Sequence, residues 1–185
     1  MLPIRRREFA CFLAALPAGL GFAGRLAAAD APTPADGVAR NAESIHQEVR
    51  FAASRARVYA ALTTARQFDA ASRLSEAMKS AKMSGSRPTR ISGRVGGSFE
   101  LFGGYLTGFQ IELLPSERIV QAWRAGSWKP GEYSIASFVL GDDAGGTLLR
   151  LDHRGFPDGA AEHLAHGWQV NYWQPLASFL AKSAG

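Results

Sequence analysis

Apolar and polar positions alternate in part over residues 45–51 (IHQEVRF), which predicts a first strand. Ser54 follows as a side-chain cap, and Val58 and Leu62, four apart, predict a short amphipathic helix. A second helical piece is expected over residues 66–71. Residues 73–90 are rich in Ser, Lys and Arg, have no clear period and read mostly as a loop. After them the period becomes two, punctuated by turn residues. SFELF (98–102) runs into Gly103-Gly104. YLTGFQIEL (105–113) places Tyr105, Thr107, Phe109, Ile111 and Leu113 on one face. RIVQAWRA (118–125) and YSIASFVL (133–140) are further strands. TLLRLDHRGF (147–156) sets Leu149, Leu151 and His153 against Leu148, Arg150, Asp152 and Arg154.

The period then changes once more. Leu164, Trp168, Tyr172, Leu176 and Phe179 form one stripe of a long helix over residues 160–182. Pro175 inside it removes a backbone donor and predicts a kink or split near Asn171. The order is α+β: a curved antiparallel sheet of six or seven strands wrapped on a long C-terminal helix. A sheet with one apolar face must be covered, and only that helix is long enough. A strongly curved sheet on a single helix tends to leave a cavity between them.

The first thirty residues follow another logic. Arg5-Arg6-Arg7 precede an apolar run of about fifteen residues, and Arg25 and Ala27-Ala28-Ala29 follow it. The run is too short to span a membrane and is broken by Pro17, Gly19 and Gly21. Arg6-Arg7 followed by Glu8-Phe9 resembles a twin-arginine signal. Residues 1–29 are therefore read as a signal peptide cleaved after Ala29. Residues 30–43 are a flexible leader, and 44–185 are one domain. The expected destination is the bacterial periplasm, reached through the twin-arginine export machinery, with no stable membrane span in the mature form.

Composition fits a packed globular domain, at 46% hydrophobic and 20% charged residues. The net charge of +5 invites a nucleic-acid reading, but residues 1–29 hold four of the 21 basic residues and one of the 16 acids. The remainder carries 17 against 15, so nucleic acid is not an expected partner. Cys11, the single cysteine, lies in the signal, which leaves no internal disulfide and no four-ligand zinc site.

Ordered pieces of the chain resemble a known family. They are FAASRARVYAALT (51–63), Val95-Gly96-Gly97-Ser98-Phe99, Gly108, Leu114-Pro115, Arg118-Ile119-Val120 and Trp123-Arg124. Ser134, Phe138, Gly146-Thr147-Leu148-Leu149, Asp152-His153, Gly155, Gly167-Trp168, Tyr172-Trp173 and Leu176 continue the series. Together they resemble the activator-of-heat-shock-ATPase-like branch of the START-related, birch-pollen-allergen-like (SRPBCC) superfamily. The resemblance implies a helix-grip domain with a hydrophobic pocket and little about chemistry. Its members include co-chaperones, lipid carriers, hormone receptors and polyketide cyclases. Many relatives carry Trp after the first helix, where this chain has ARQFDAASRL (65–74) with Phe68 and no Trp.

The ligand pocket is expected to be lined by Trp123, Phe138, His153, Trp168 and Tyr172, with Trp128 and Trp173 as further notable aromatics. The leading reading is a binding protein for a small hydrophobic molecule, whether lipid, aromatic or polyketide-like. The alternatives are a cyclase- or hydratase-type enzyme using the same pocket and an envelope chaperone-like interaction module. His153 is the one candidate proton carrier, with Asp152 or Tyr133 beside it, and is read first as a satisfied core or rim histidine. Glu162, His163 and His166 share one helix surface and read as a polar first turn, because a metal needs three or four convergent ligands. No metal or other cofactor is expected. No nucleophile elbow and no phosphate-binding loop occur.

Overall fold

The computed structural model describes residues 43–80 and 87–182. The expected export signal with Arg6 and Arg7, and the expected leader as far as residue 42, lie outside the described residues.

Strand β1 (Ser44–Phe51) enters two short helices, α1 (Arg55–Thr63) and α2 (Ala65–Ser72). The Ser54 side chain caps α1 by accepting from the Arg57 backbone N–H at 3.4 Å. Residues 73–90 are not all loop: Ser75 caps one further turn, α3 (Glu76–Lys79). Its second residue is held from afar, since Ala77 N–H donates to Asn171 Oδ1 at 2.9 Å.

Strands β2 (Arg90–Ile91), β3 (Ser98–Leu101), β4 (Leu106–Leu114), β5 (Arg118–Ala125), β6 (Ser134–Asp143) and β7 (Gly146–Arg154) follow. They form one seven-stranded antiparallel sheet in the order β1-β7-β6-β5-β4-β3-β2. Only the first strand is displaced from chain order, pairing with the last. The C-terminal helix runs as α4 (Ala161–Trp168), a π-helical turn (Gln169–Trp173) and α5 (Gln174–Lys182). No helix among the described residues is long and apolar enough to cross a membrane.

The π turn follows from Pro175. Its ring opposes the carbonyl four residues back, that of Asn171, and its nitrogen has no proton to give. The backbone widens there by one residue. Hence the buried stripe shifts: Leu164 and Trp168 are buried before the turn, Tyr172 and Trp173 side by side within it, and Leu176 and Leu180 after it. Phe179, which a straight helix places on the stripe, is only half-buried. Gln47 pins this helix to β1: the Trp173 indole N–H donates to Gln47 Oε1, and Gln47 Nε2 donates to the Ala165 carbonyl.

On β4 the face that carries Phe109 and Ile111 points outward. Phe109 and Ile111 are 44% and 45% exposed, while Leu106 and Gln110 are buried. Two features decide the parity. A Cβ on Gly108 would collide with the Ala122 carbonyl oxygen and the Phe99 ring, so only glycine fits the inner position opposite Phe99. Gln110 is accepted inside because Gln121 Nε2 donates to its Oε1 at 3.2 Å. A bulge between Gln110 and Glu112 then changes the register against β5.

Candidate functional site

A cavity of about 110 Å³ lies between one end of the sheet and the C-terminal helix. Phe102, Tyr105 and Leu106 line it from the β3–β4 connection, Trp123 and Ala125 from β5, and Ser127 and Trp128 from the loop beyond. The helix contributes His163, Leu164, Gly167, Trp168, Asn171 and Tyr172, and Ala77 closes the edge.

Phe102 adopts a left-handed backbone at φ 51, the first of three successive positive-φ residues with Gly103 and Gly104. Such a conformation is costly for a bulky residue. Here it delivers the ring against Phe68 at 5.7 Å and Tyr172 at 5.4 Å. Phe68 thus stands behind the wall, outside the cavity lining itself. Gly167 faces open space, with no atom within 4 Å of where a Cβ would stand. The loop over the mouth is tied down by Arg124, whose Nη2 donates to the Trp128 carbonyl at 2.7 Å and whose Nε donates to that of Lys129 at 3.1 Å. Across the mouth the Tyr105 hydroxyl meets Ser127 Oγ at 3.3 Å.

Of the expected pocket residues, Trp123, Trp168 and Tyr172 line the cavity, and Phe138 and His153 do not. Phe138 packs one layer deeper, edge-on to Trp168 and Trp173. His153 is 1% exposed and enclosed by the rings of Trp123, Phe156 and Trp168. The Trp168 indole N–H donates to its Nδ1 at 3.1 Å. With Nδ1 accepting, the ring proton sits on Nε2, which donates to Ser134 Oγ at 2.7 Å. Ser134 in turn donates to the Trp123 carbonyl at 3.0 Å. Every donor and acceptor of the ring is used. Burial lowers its pKa to about 3, so it is neutral at physiological pH.

The partners suggested for acid–base work lie elsewhere. Asp152 faces the opposite side of its strand and meets His46 Nδ1 at 2.9 Å, and the Tyr133 ring packs on Phe109. His153 therefore has no free nitrogen for proton transfer. Glu162, His163 and His166 are exposed on α4, and His163 alone of them reaches the cavity.

Two polar atoms on cavity-lining residues are buried without a partner, Trp123 Nε1 and the Tyr172 hydroxyl. The Tyr172 ring is packed by Phe68, Phe102 and Trp168, and burial raises its phenol well above the ordinary range. The Trp123 indole N–H faces the Tyr172 oxygen without reaching it in hydrogen-bond geometry.

Sequence reasoning did not assign Phe102, Asn171 or Gly167 to the cavity. Gly167 carried a readable signal, a helix-weakening residue between His166 and Trp168 in an otherwise strong helical pattern.

An antiparallel sheet gripping a long helix, with an aromatic-walled cavity at one end, defines the helix-grip class. Residues 52–181 match the family described as Activator of Hsp90 ATPase homolog 1-like protein, and the chain belongs to that family. It is 31% identical over 89 residues to the human "Activator of 90 kDa heat shock protein ATPase homolog 1", covering 48% of this chain. The matched stretch spans 26% of that relative's length. An HSP90 activator from Plasmodium falciparum superposes with a TM-score of 0.64 at 23% identity, over 75% of this chain and 96% of that one. CalU16 from Micromonospora echinospora superposes with a TM-score of 0.58 at 21% identity, over 76% of this chain and 77% of that one. These two likenesses concern the fold.

Proposed function

We propose that the protein binds a small apolar molecule in the cavity between the sheet and the C-terminal helix. The observation that carries this reading is the cavity itself, aromatic-walled and adjoined by an unfilled glycine position. Among lipid, aromatic and polyketide-like ligands, its size favours the aromatic. An apolar hole of roughly 150 Å³ accommodates benzene, whereas drug-sized ligands occupy pockets of roughly 300–1,000 Å³. At about 110 Å³ this cavity suits one ring.

Toluene titrated into the domain and followed by NMR is expected to bind saturably. Gly167→Leu places a side chain into the open space and is expected to abolish that binding. The variant should melt no lower than wild type, because replacing a helical glycine is favourable by up to about 1 kcal/mol. Absence of saturable binding to wild type, or equal binding by the variant, rules the reading out.

Export belongs to the same proposal and rests on the sequence of residues 1–29. Replacing the pair by Arg6→Lys and Arg7→Lys is expected to keep the chain as an unprocessed precursor in the cytoplasm. Cell fractionation with immunoblotting checks this, and an unchanged periplasmic fraction would refute it.

A further inference from the structure

Among the described residues the exposed large apolar side chains are Val95, Tyr105, Phe109, Ile111 and Leu114. Tyr105 belongs to the cavity mouth, and the other four gather at one place outside the cavity. Phe109 and Ile111 stand on the outer face of β4, and Leu114 ends that strand. Val95, 63% exposed, sits in the β2–β3 loop, which is bonded to the same strand. There Gly96 N–H donates to the Gln110 carbonyl at 2.7 Å, and Gln110 N–H to that of Gly97 at 2.9 Å. The apolar strip continues across the sheet, because Phe109 pairs with Ala122 and Ala122 with Ile135. The Tyr133 ring packs on Phe109. Scattered apolar residues are normal on a surface, whereas a contiguous cluster marks an interaction site.

Charge and shape select the partner. The acids on this face are engaged: Glu100 with Arg90 at 3.7 Å, Glu112 with Arg118 at 3.4 Å and Asp152 with His46 at 2.9 Å. Arg94, next to Val95, and Arg154, which pairs with Ile135 at the far end of the strip, have no acid partner among the described residues. Glu117 lies beyond Leu114, in the β4–β5 turn. Along the strip itself the unpaired charge is therefore positive.

The C-terminal helix takes the concave side of the sheet, so the outer face is convex. Two convex faces touch along a narrow line, whereas a stable complex of two proteins buries roughly 800 Å² on each. A fluid lipid surface deforms around separate protrusions and takes apolar side chains to a depth of roughly 5–10 Å. Its anionic headgroups attract arginine. We propose that the outer face of the sheet docks on an anionic bilayer. Val95, Phe109, Ile111 and Leu114 enter the headgroup boundary, and Arg94 and Arg154 meet lipid phosphates. The domain rests on the membrane and does not cross it, whatever the cavity binds.

The packed core lies within residues 45–180, so the chain from residue 30, the length expected after cleavage, keeps all of it. That chain is sedimented with vesicles of phosphatidylglycerol and of phosphatidylcholine. Wild type is expected to bind phosphatidylglycerol at least about tenfold tighter at low salt and to lose that advantage at high salt. Phe109→Thr with Ile111→Thr is expected to cut binding to phosphatidylglycerol by at least about tenfold. Threonine suits a strand, so the melting temperature should stay near that of wild type. Val95→Ser, in a loop where the fold is not at stake, should cut binding by about threefold. Arg94→Gln with Arg154→Gln is expected to remove the preference between the lipids. No pelleting of wild type with either lipid, equal binding to both, or full binding by the apolar variants overturns the proposal. A wild-type dimer in solution that the threonine pair dissociates gives the face to a second copy and overturns it as well.

Discussion

Stability is expected to fall steeply as the pH drops below 6.5, through one residue above all, His153. Its pKa is about 3 in the folded chain and 6.5 when unfolded. Between these values the unfolded chain binds a proton that the folded chain does not. Stability is therefore complete above pH 6.5 and is lost as the pH falls toward 3, at about 1.4 kcal/mol per unit. The full loss is on the order of 5 kcal/mol, comparable to the whole stability of many domains. Urea unfolding at pH 7, 6 and 5 reads the part of this window above the ordinary carboxylate range. His153→Gln should be less stable at pH 7, because it disturbs the bonds to Trp168 and Ser134. Its profile from pH 6.5 to 5 should nevertheless be clearly flatter than that of wild type, because the buried imidazole is gone. A slope as steep in the variant as in wild type would sink the account.

Trp168→Ala is expected to cost about 3–5 kcal/mol, as deletion of a large buried side chain does. The indole is stacked on Trp173 at 5.5 Å and touches the rings of Tyr172, Trp123, Phe138 and His153. Its N–H also holds His153 Nδ1, which would become an unpaired acceptor in the core. The melting temperature should drop by roughly 6–20 °C, since 1 kcal/mol shifts a domain of this size by about 2–4 °C. Trp168→Phe keeps most of the apolar contact and should lie between the two. An alanine variant within about 1 kcal/mol of wild type would show that these rings do not form one packed unit.

Both predictions centre on residues whose importance was legible and whose role was not. Trp123, Trp168 and Tyr172 stand out by size and spacing, and all three line the cavity. Phe138 and His153 share the inward parity of their strands but sit a layer deeper, since period two gives a side and no depth. For His153 the chain alone favours a satisfied core or rim group and still leaves a proton carrier open. The choice needed Trp168 and Ser134, fifteen and nineteen positions away, to meet its two nitrogens. Nothing local announces such a meeting.

The sequence by itself determined the element order, the single curved sheet, the long final helix and its break at Pro175. These depend on local sterics and periodicity, which each segment carries with it. It also pointed to residues 1–29 as an export segment, with four of the basic residues. Only the tertiary structure decided which face of β4 is inward, because Gly108 is required by the Ala122 carbonyl and the Phe99 ring on neighbouring strands. The cavity belongs to the same category. It is the space that Phe102, Trp123, Gly167 and Tyr172 leave unfilled between them, and a gap between segments distant in the chain has no period of its own.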